Sequence, residues 1–126
     1  MILVFGGVYQ GKLTYALERF GLTEEFVFRC GDEDANIPSG KKIVYEFDKW
    51  ILALIKTGAD IDATLQSFIA ENKDAVIICN DISCGVVPAD ETQRVWREAV
   101  GRSLAELSRL SDETIRLFCG IPTKIK

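Results

Sequence analysis

Short apolar runs alternate with amphipathic stretches along most of this chain, the pattern of a parallel sheet covered by helices. Residues 2–5 (Ile-Leu-Val-Phe) are apolar at every place, as expected of a strand buried on both faces. A helix follows over residues 12–20, with Gly21 as its stop. Residues 25–30 read as a second strand, and residues 31–40 as a polar loop rich in Asp, Asn, Pro and Gly. A short third strand is expected at 43–46. Asp48 then caps a helix over 49–57 that Gly58 closes. Another helix at about 61–72 starts beside Asp60 and places Leu65, Phe68 and Ile69 on one face.

Residues 75–79 (Ala-Val-Ile-Ile-Cys) form the fourth strand, and residues 80–88 a loop. Asp90 with Gln93 three places on resembles a capping box for the longest helix. That helix runs to about Leu110, with Trp96, Ala99, Val100, Leu104 and Leu107 at helical spacing. A last strand at 114–119 leads into a short tail. The expected fold class is α/β: a P-loop NTPase-like three-layer domain over residues 1–126, with a mostly parallel sheet of about five strands and helices on both faces.

The junction of the first strand and first helix carries the candidate chemistry. Gly6, four intervening residues and Gly11-Lys12 match the first seven places of G-x-x-x-x-G-K-[ST]. Glycines let backbone N–H groups turn inward on a phosphate, a lysine adds a point charge, and a helix N-terminus adds its dipole. The candidate nucleotide-binding residues are therefore Gly6, Gly7, Val8, Tyr9, Gln10, Gly11, Lys12, Leu13 and Thr14. The eighth place is Leu13, where the motif has the hydroxyl that helps to hold magnesium. Thr14 offers a hydroxyl one residue late, turned by about 100° around the helix.

Carboxylates at the C-terminal ends of strands are the natural partners of such a loop. Glu46 after the third strand and Asp81 after the fourth are the candidate magnesium ligands, with Asp81 and Lys12 as candidate catalytic residues. Cys30, Cys79 and Cys119 also fall at expected strand ends, but they lack metal-ligand spacing and read as structural thiols.

Composition narrows the choices. A net charge of −4 on 126 residues argues against a nucleic-acid partner, and the acidic run Asp32-Glu33-Asp34 reads as a solvated loop. No apolar run approaches the roughly 20 residues of a membrane span. The expectation is a cytoplasmic, unprocessed chain with reduced cysteines. With no histidine at all, imidazole bases and histidine-linked intermediates are excluded.

The second half carries a more specific pattern. Asn80-Asp81-Ile82-Ser83-Cys84-Gly85-Val86-Val87-Pro88 is followed by Arg94, Trp96-Arg97-Glu98 and Gly101, and the chain ends Gly120-Ile121-Pro122-Thr123-Lys124-Ile125-Lys126. This order resembles the adenosylcobinamide kinase/adenosylcobinamide-phosphate guanylyltransferase family. Its members carry an Asn-Glu-x-Gly-x-Gly-x-Val-Pro loop, an Arg-x-Phe-Arg-Asp-x-x-Gly helix and a Gly-[Ile/Leu]-Pro-x-x-[Ile/Leu]-Lys tail. With the Gly-Gly-x-x-x-Gly-Lys loop the resemblance covers both ends, about half the chain.

The resemblance implies a P-loop kinase that transfers phosphate from ATP or GTP, with Mg2+, to the aminopropanol arm of adenosylcobinamide. Asp81 would stand where the family has glutamate, and Gly85, Val87 and Pro88 would shape the loop beside the substrate. Partners would be nucleotide and a corrinoid, with a homo-oligomer suggested by the family's assembly.

The sequence departs from the family at Leu13, Asp81, Ser83 and Ser103-Leu104. The segment that carries the family's guanylylated histidine is missing between the second and fourth strands, so the usual guanylyltransferase step is impossible here. The alternative expectation is a catalytically degenerate P-loop domain that binds nucleotide or a partner without turnover.

Overall fold

The computed structural model describes residues 1–83 and 88–126. Its elements are β1 (Ile2–Gly6), α1 (Lys12–Phe20), β2 (Val27–Arg29), β3 (Ile43–Tyr45), α2 (Phe47–Thr57), α3 (Ile61–Glu71), β4 (Val76–Asn80), α4 (Glu91–Leu110), β5 (Glu113–Phe118) and β6 (Ile121–Lys124). They build one sheet in the order β2-β3-β4-β1-β5-β6. The β1, β2, β3, β4 and β5 pairings are parallel, and β6 runs antiparallel to β5. The chain is thus an α/β protein with the mostly parallel, helix-covered sheet that the sequence pattern predicts.

Each central strand is buried on both faces, and alternate residues serve different layers. Val4, Ile78, Ile115 and Leu117 meet Ala16, Leu13, Leu17 and Phe20 of α1 on one face. Leu3, Val44, Ile77 and Cys79 meet residues of α2, α3 and α4 on the other. There Phe47 stacks on Trp50 at 4.6 Å and lies 5.2 Å from Phe68, joining α2 to α3 through aromatic contact.

The expected boundaries need three corrections. The tail is a strand: Ile121–Lys124 pairs with β5 through the two-residue turn Cys119-Gly120, so six strands replace the expected five. Both turn residues have positive φ (52° and 75°), the type I′ signature of tight hairpins. The second strand is shorter than expected, because Glu24–Phe26 forms a 3₁₀ turn before Val27. Asp48 is no cap: α2 begins at Phe47, and Glu46 sits before it in the left-handed region (φ 58°, ψ 48°). By contrast, Asp90 caps α4 as expected, accepting from the N–H of Gln93 at 3.0 Å, and Asp60, expected beside the start of α3, caps it by accepting from the N–H of Ala63 at 3.1 Å. No helix among the described residues is long and apolar enough to cross a membrane.

Candidate functional site

β4 lies between β1 and β3, so the C-terminal ends of these three strands open side by side. The ladder continues past β1 and β4, with Asp81 N–H donating to Gly6 O at 2.8 Å. Ligands of open α/β sheets bind at this end.

The loop after β1 is held by backbone geometry that its glycines permit. At Gly6 (φ 155°) an added Cβ would run into the Leu117 carbonyl oxygen of β5. Gly11 (φ 84°) turns the chain into α1. Gln10 fixes the far side of the loop, its carbonyl accepting from Gly120 N–H at 3.1 Å and its side-chain oxygen from Cys119 N–H. Val8 and Tyr9 form the exposed tip, and Tyr9 itself has a positive φ of 61°.

Lys12 is only 4 % exposed, and its Nζ donates to Gly7 O at 2.5 Å, so the ammonium lies within the arc of the loop. α1 also starts differently from its neighbours: Gly11 supplies no side-chain cap, and its first turn carries no acid. Helix-start N–H groups need acceptors and favour negative charge. α3 and α4 meet that need with aspartates; α1 meets it with no side chain of its own. Such a start, with a buried lysine beside it, suits a phosphate.

Burial lowers the Lys12 pKa, and Asp48, Cys79 and Glu46 oppose that shift, Asp48 most strongly. Asp48 is itself buried, which raises its pKa, while the Asn80 backbone N–H (3.2 Å) and Nδ2 (3.5 Å) donate to its carboxylate. Its carbonyl accepts from Trp96 Nε1 at 2.7 Å. Sequence reasoning missed this residue, since an acid after a strand and before an apolar helix reads as a cap. Only the fold discloses it: seven of the eight residues from 47 to 54, Asp48 included, are buried, too dry a setting for an ordinary cap.

Glu46 lies within reach of Arg29 (3.5 Å) and Lys49 (3.1 Å), and Arg29 stacks over Tyr45 at 4.8 Å. Glu46 Oε2 is buried without a donor in hydrogen-bonding geometry, although it is the atom nearest the Lys49 ammonium. Glu46 and Lys12 thus share one electrostatic environment. The Asp81 backbone joins the loop, while its Oδ1 accepts from Ser83 N–H at 3.1 Å and Ser83 Oγ at 2.5 Å.

Leu13 turns into the apolar layer between α1 and the sheet, and it lines a groove with Glu24, Val27, Arg29 and Tyr45. Thr14 is exposed. Pro88 O accepts from Arg94 Nη1 at 3.3 Å. Gly85 and Val87, the other expected loop residues, lie outside the described residues, as does Cys84.

Cys30 and Cys79 are buried in the α2–α4 layer, whereas Cys119 is exposed on the hairpin turn. Burial, with smaller contributions from Asp48 and Glu46, pushes the Cys30 thiol up to about 12. Burial and Asp48 likewise hold Cys79 in its thiol form. Among the described residues no group of three or more acids and thiols is arranged to hold a metal ion.

A search of curated proteins finds no match to the chain. A protein-family model does match, that of cobinamide kinase / cobinamide phosphate guanyltransferase, over residues 41–125. The match spans two thirds of the chain, from β3 to the hairpin, and carries both Asp48 and the Asn80–Gly101 motifs. The glycine loop lies before it, so the loop's role rests on geometry. With its sheet order and its second-half motifs, this chain belongs to the cobinamide kinase / cobinamide phosphate guanyltransferase family.

Proposed function

We propose that the chain is a kinase-only member of this family, which transfers the terminal phosphate of ATP or GTP to the hydroxyl of adenosylcobinamide. The observation that carries this reading is Lys12: a buried ammonium inside a glycine loop, at a helix start without its own acceptor, balanced by Asp48. In the transfer, a bond forms between the acceptor oxygen and the terminal phosphorus, and the hydroxyl proton passes to solvent. The bond to the bridging oxygen breaks, and the nucleoside diphosphate leaves. Catalysis of this class rests on positioning and charge stabilisation, so it needs no histidine.

The loop residues 6–11 and the first turn of α1 would hold the nucleotide phosphates, and Lys12 would neutralise charge on the transferring group. Asp48 opposes the loss of charge that burial favours at Lys12. The residues present fit magnesium at Glu46, whose buried Oε2 has no donor in hydrogen-bonding geometry and lies 3.1 Å from the Lys49 ammonium, a cation that the metal ion would replace. Glu46 and Asp81 are the carboxylates that would hold it, and the ion would supply Lewis-acid stabilisation of the phosphate oxygens.

A second reading is favoured by Leu13, whose place in the apolar layer removes the expected hydroxyl from the site. In that reading the domain binds nucleotide or a partner without turnover. A phosphotransfer assay from labelled ATP or GTP to adenosylcobinamide separates the two. The kinase reading predicts product formation that vanishes in Lys12→Ala. Folded protein that binds nucleotide but forms no product with any corrinoid acceptor leaves the second reading standing.

A further inference from the structure

The glycine loop is clasped by the turn of the β5–β6 hairpin, and both bonds of the clasp end on Gln10. Cys119 and Gly120 lie in the left-handed region (φ 52° and 75°), and their successive N–H groups reach the same residue. The first donates to Gln10 Oε1 and the second to Gln10 O at 3.1 Å. The two backbones run close here, since a Cβ at Gly11 would lie 3.7 Å from Gly120 Cα.

This clasp decides which way the Gln10 amide faces. A backbone N–H needs an acceptor, so the amide oxygen is the atom turned to Cys119 and Nε2 is the atom turned away. Nε2 lies over Gly7, 3.9 Å from where a Cβ of that residue would stand. Among the described residues it donates to no protein acceptor. Gly7 is also the residue whose carbonyl takes Lys12 Nζ at 2.5 Å. A lysine of this kind reaches the β- and γ-phosphates, so the amide and the ammonium share the same end of the loop.

We propose that Gln10 Nε2 donates to the terminal phosphate of a bound nucleoside triphosphate, with the hairpin turn holding the amide in place. The inference rests on reading residues 6–12 as the nucleotide site. A neutral amide suits this position beside Lys12. It donates to an anion without the desolvation that a second buried cation would cost, and hydrogen bonds to a charged acceptor are the strong ones. Leu13 takes the motif's hydroxyl out of the site, and Gln10 returns a polar side chain to it.

Calorimetric titration with GTP and GDP, and with ATP and ADP, all with magnesium, tests the contact on the parent, Lys12→Ala, Gln10→Met and Gln10→Glu. Gln10→Met keeps the length of the side chain and removes the donor. It should weaken triphosphate binding by about tenfold or more, while diphosphate binding falls by less than about threefold. A residue that merely holds the loop would weaken both alike, and that result overturns the contact. Gln10→Glu guards against a loosened loop, because it keeps an acceptor for Cys119 N–H and puts an oxygen in place of the donor. Its melting temperature should stay close to the parent's, and its loss of triphosphate should be at least as severe as that of Gln10→Met. Triphosphate binding at the parent's level in either variant overturns the contact. Nucleotide binding indifferent to Lys12 marks a failure of the loop reading itself. Binding that depends on Lys12 but not on Gln10 marks a failure of this contact alone.

Discussion

Lys12 and Asp48 form a pair of opposite charges drawn out of water by the fold, and burial pulls their pKa values in opposite senses. Burial raises Asp48 despite the Asn80 donors that favour its charged form. A carboxyl raised in the folded state keeps its proton after the unfolded chain has lost it. Its contribution to stability is therefore full below the unfolded value of 3.8 and is lost as pH rises through the folded value. Asp48→Asn removes that titration. The melting temperature of the variant should gain on that of the parent as pH rises above about 4, whatever their constant offset. A difference that stays flat or moves the other way would contradict the burial.

Gly6 and Gly7 make a second residue-scale test, because they are neighbours with unequal demands. Gly6 has a positive φ and no room for a Cβ, whereas at Gly7 a Cβ would meet only the Gln10 side chain, at 3.7 Å. In urea denaturation Gly6→Ala should cost more than about 2 kcal/mol. Gly7→Ala should stay within about 1 kcal/mol. Equal costs would mean that the close approach to β5 does not hold the loop.

At the scale of elements, what could be read in the sequence divides by mechanism. The starts of α3 and α4 were legible because Asp60 and Asp90 are cap residues by type, and Gly21 and Gly58 close α1 and α2 in the left-handed region where only glycine is at ease. β6 was not legible. Its turn uses Cys119 at φ 52°, where the usual hairpin turn has asparagine or aspartate. Asp48 was hidden for the converse reason, since its type fits a cap and only tertiary packing buries it. The hairpin supplies a prediction at this scale: Cys119→Asn should raise stability by about 0.5 kcal/mol, because asparagine tolerates the left-handed region better. Cys119→Val should lower it, as a β-branched residue does not. Thermal melts of the two variants that shift together would argue against the turn.

At the scale of the whole molecule, strand order turns separate motifs into one site. Residues 6–12, 46–48 and 80–83 are far apart in sequence, and they meet because β4 lies between β1 and β3. The glycine loop and the acid at the end of β4 were visible in the sequence because each sits at a strand end. That Asp48 and Glu46, and not one acid alone, set the field at Lys12 required the crossover. Leu13 likewise reads as a defect in a motif until the fold shows it serving the α1 layer.

The most direct test of the account is calorimetric titration with GTP and with ATP, with and without magnesium, on the parent protein and on Lys12→Ala. The account predicts magnesium-dependent binding that weakens by about tenfold to a hundredfold or more in the variant. Folded parent protein that binds neither nucleotide, or a variant that binds as well as its parent, would contradict it.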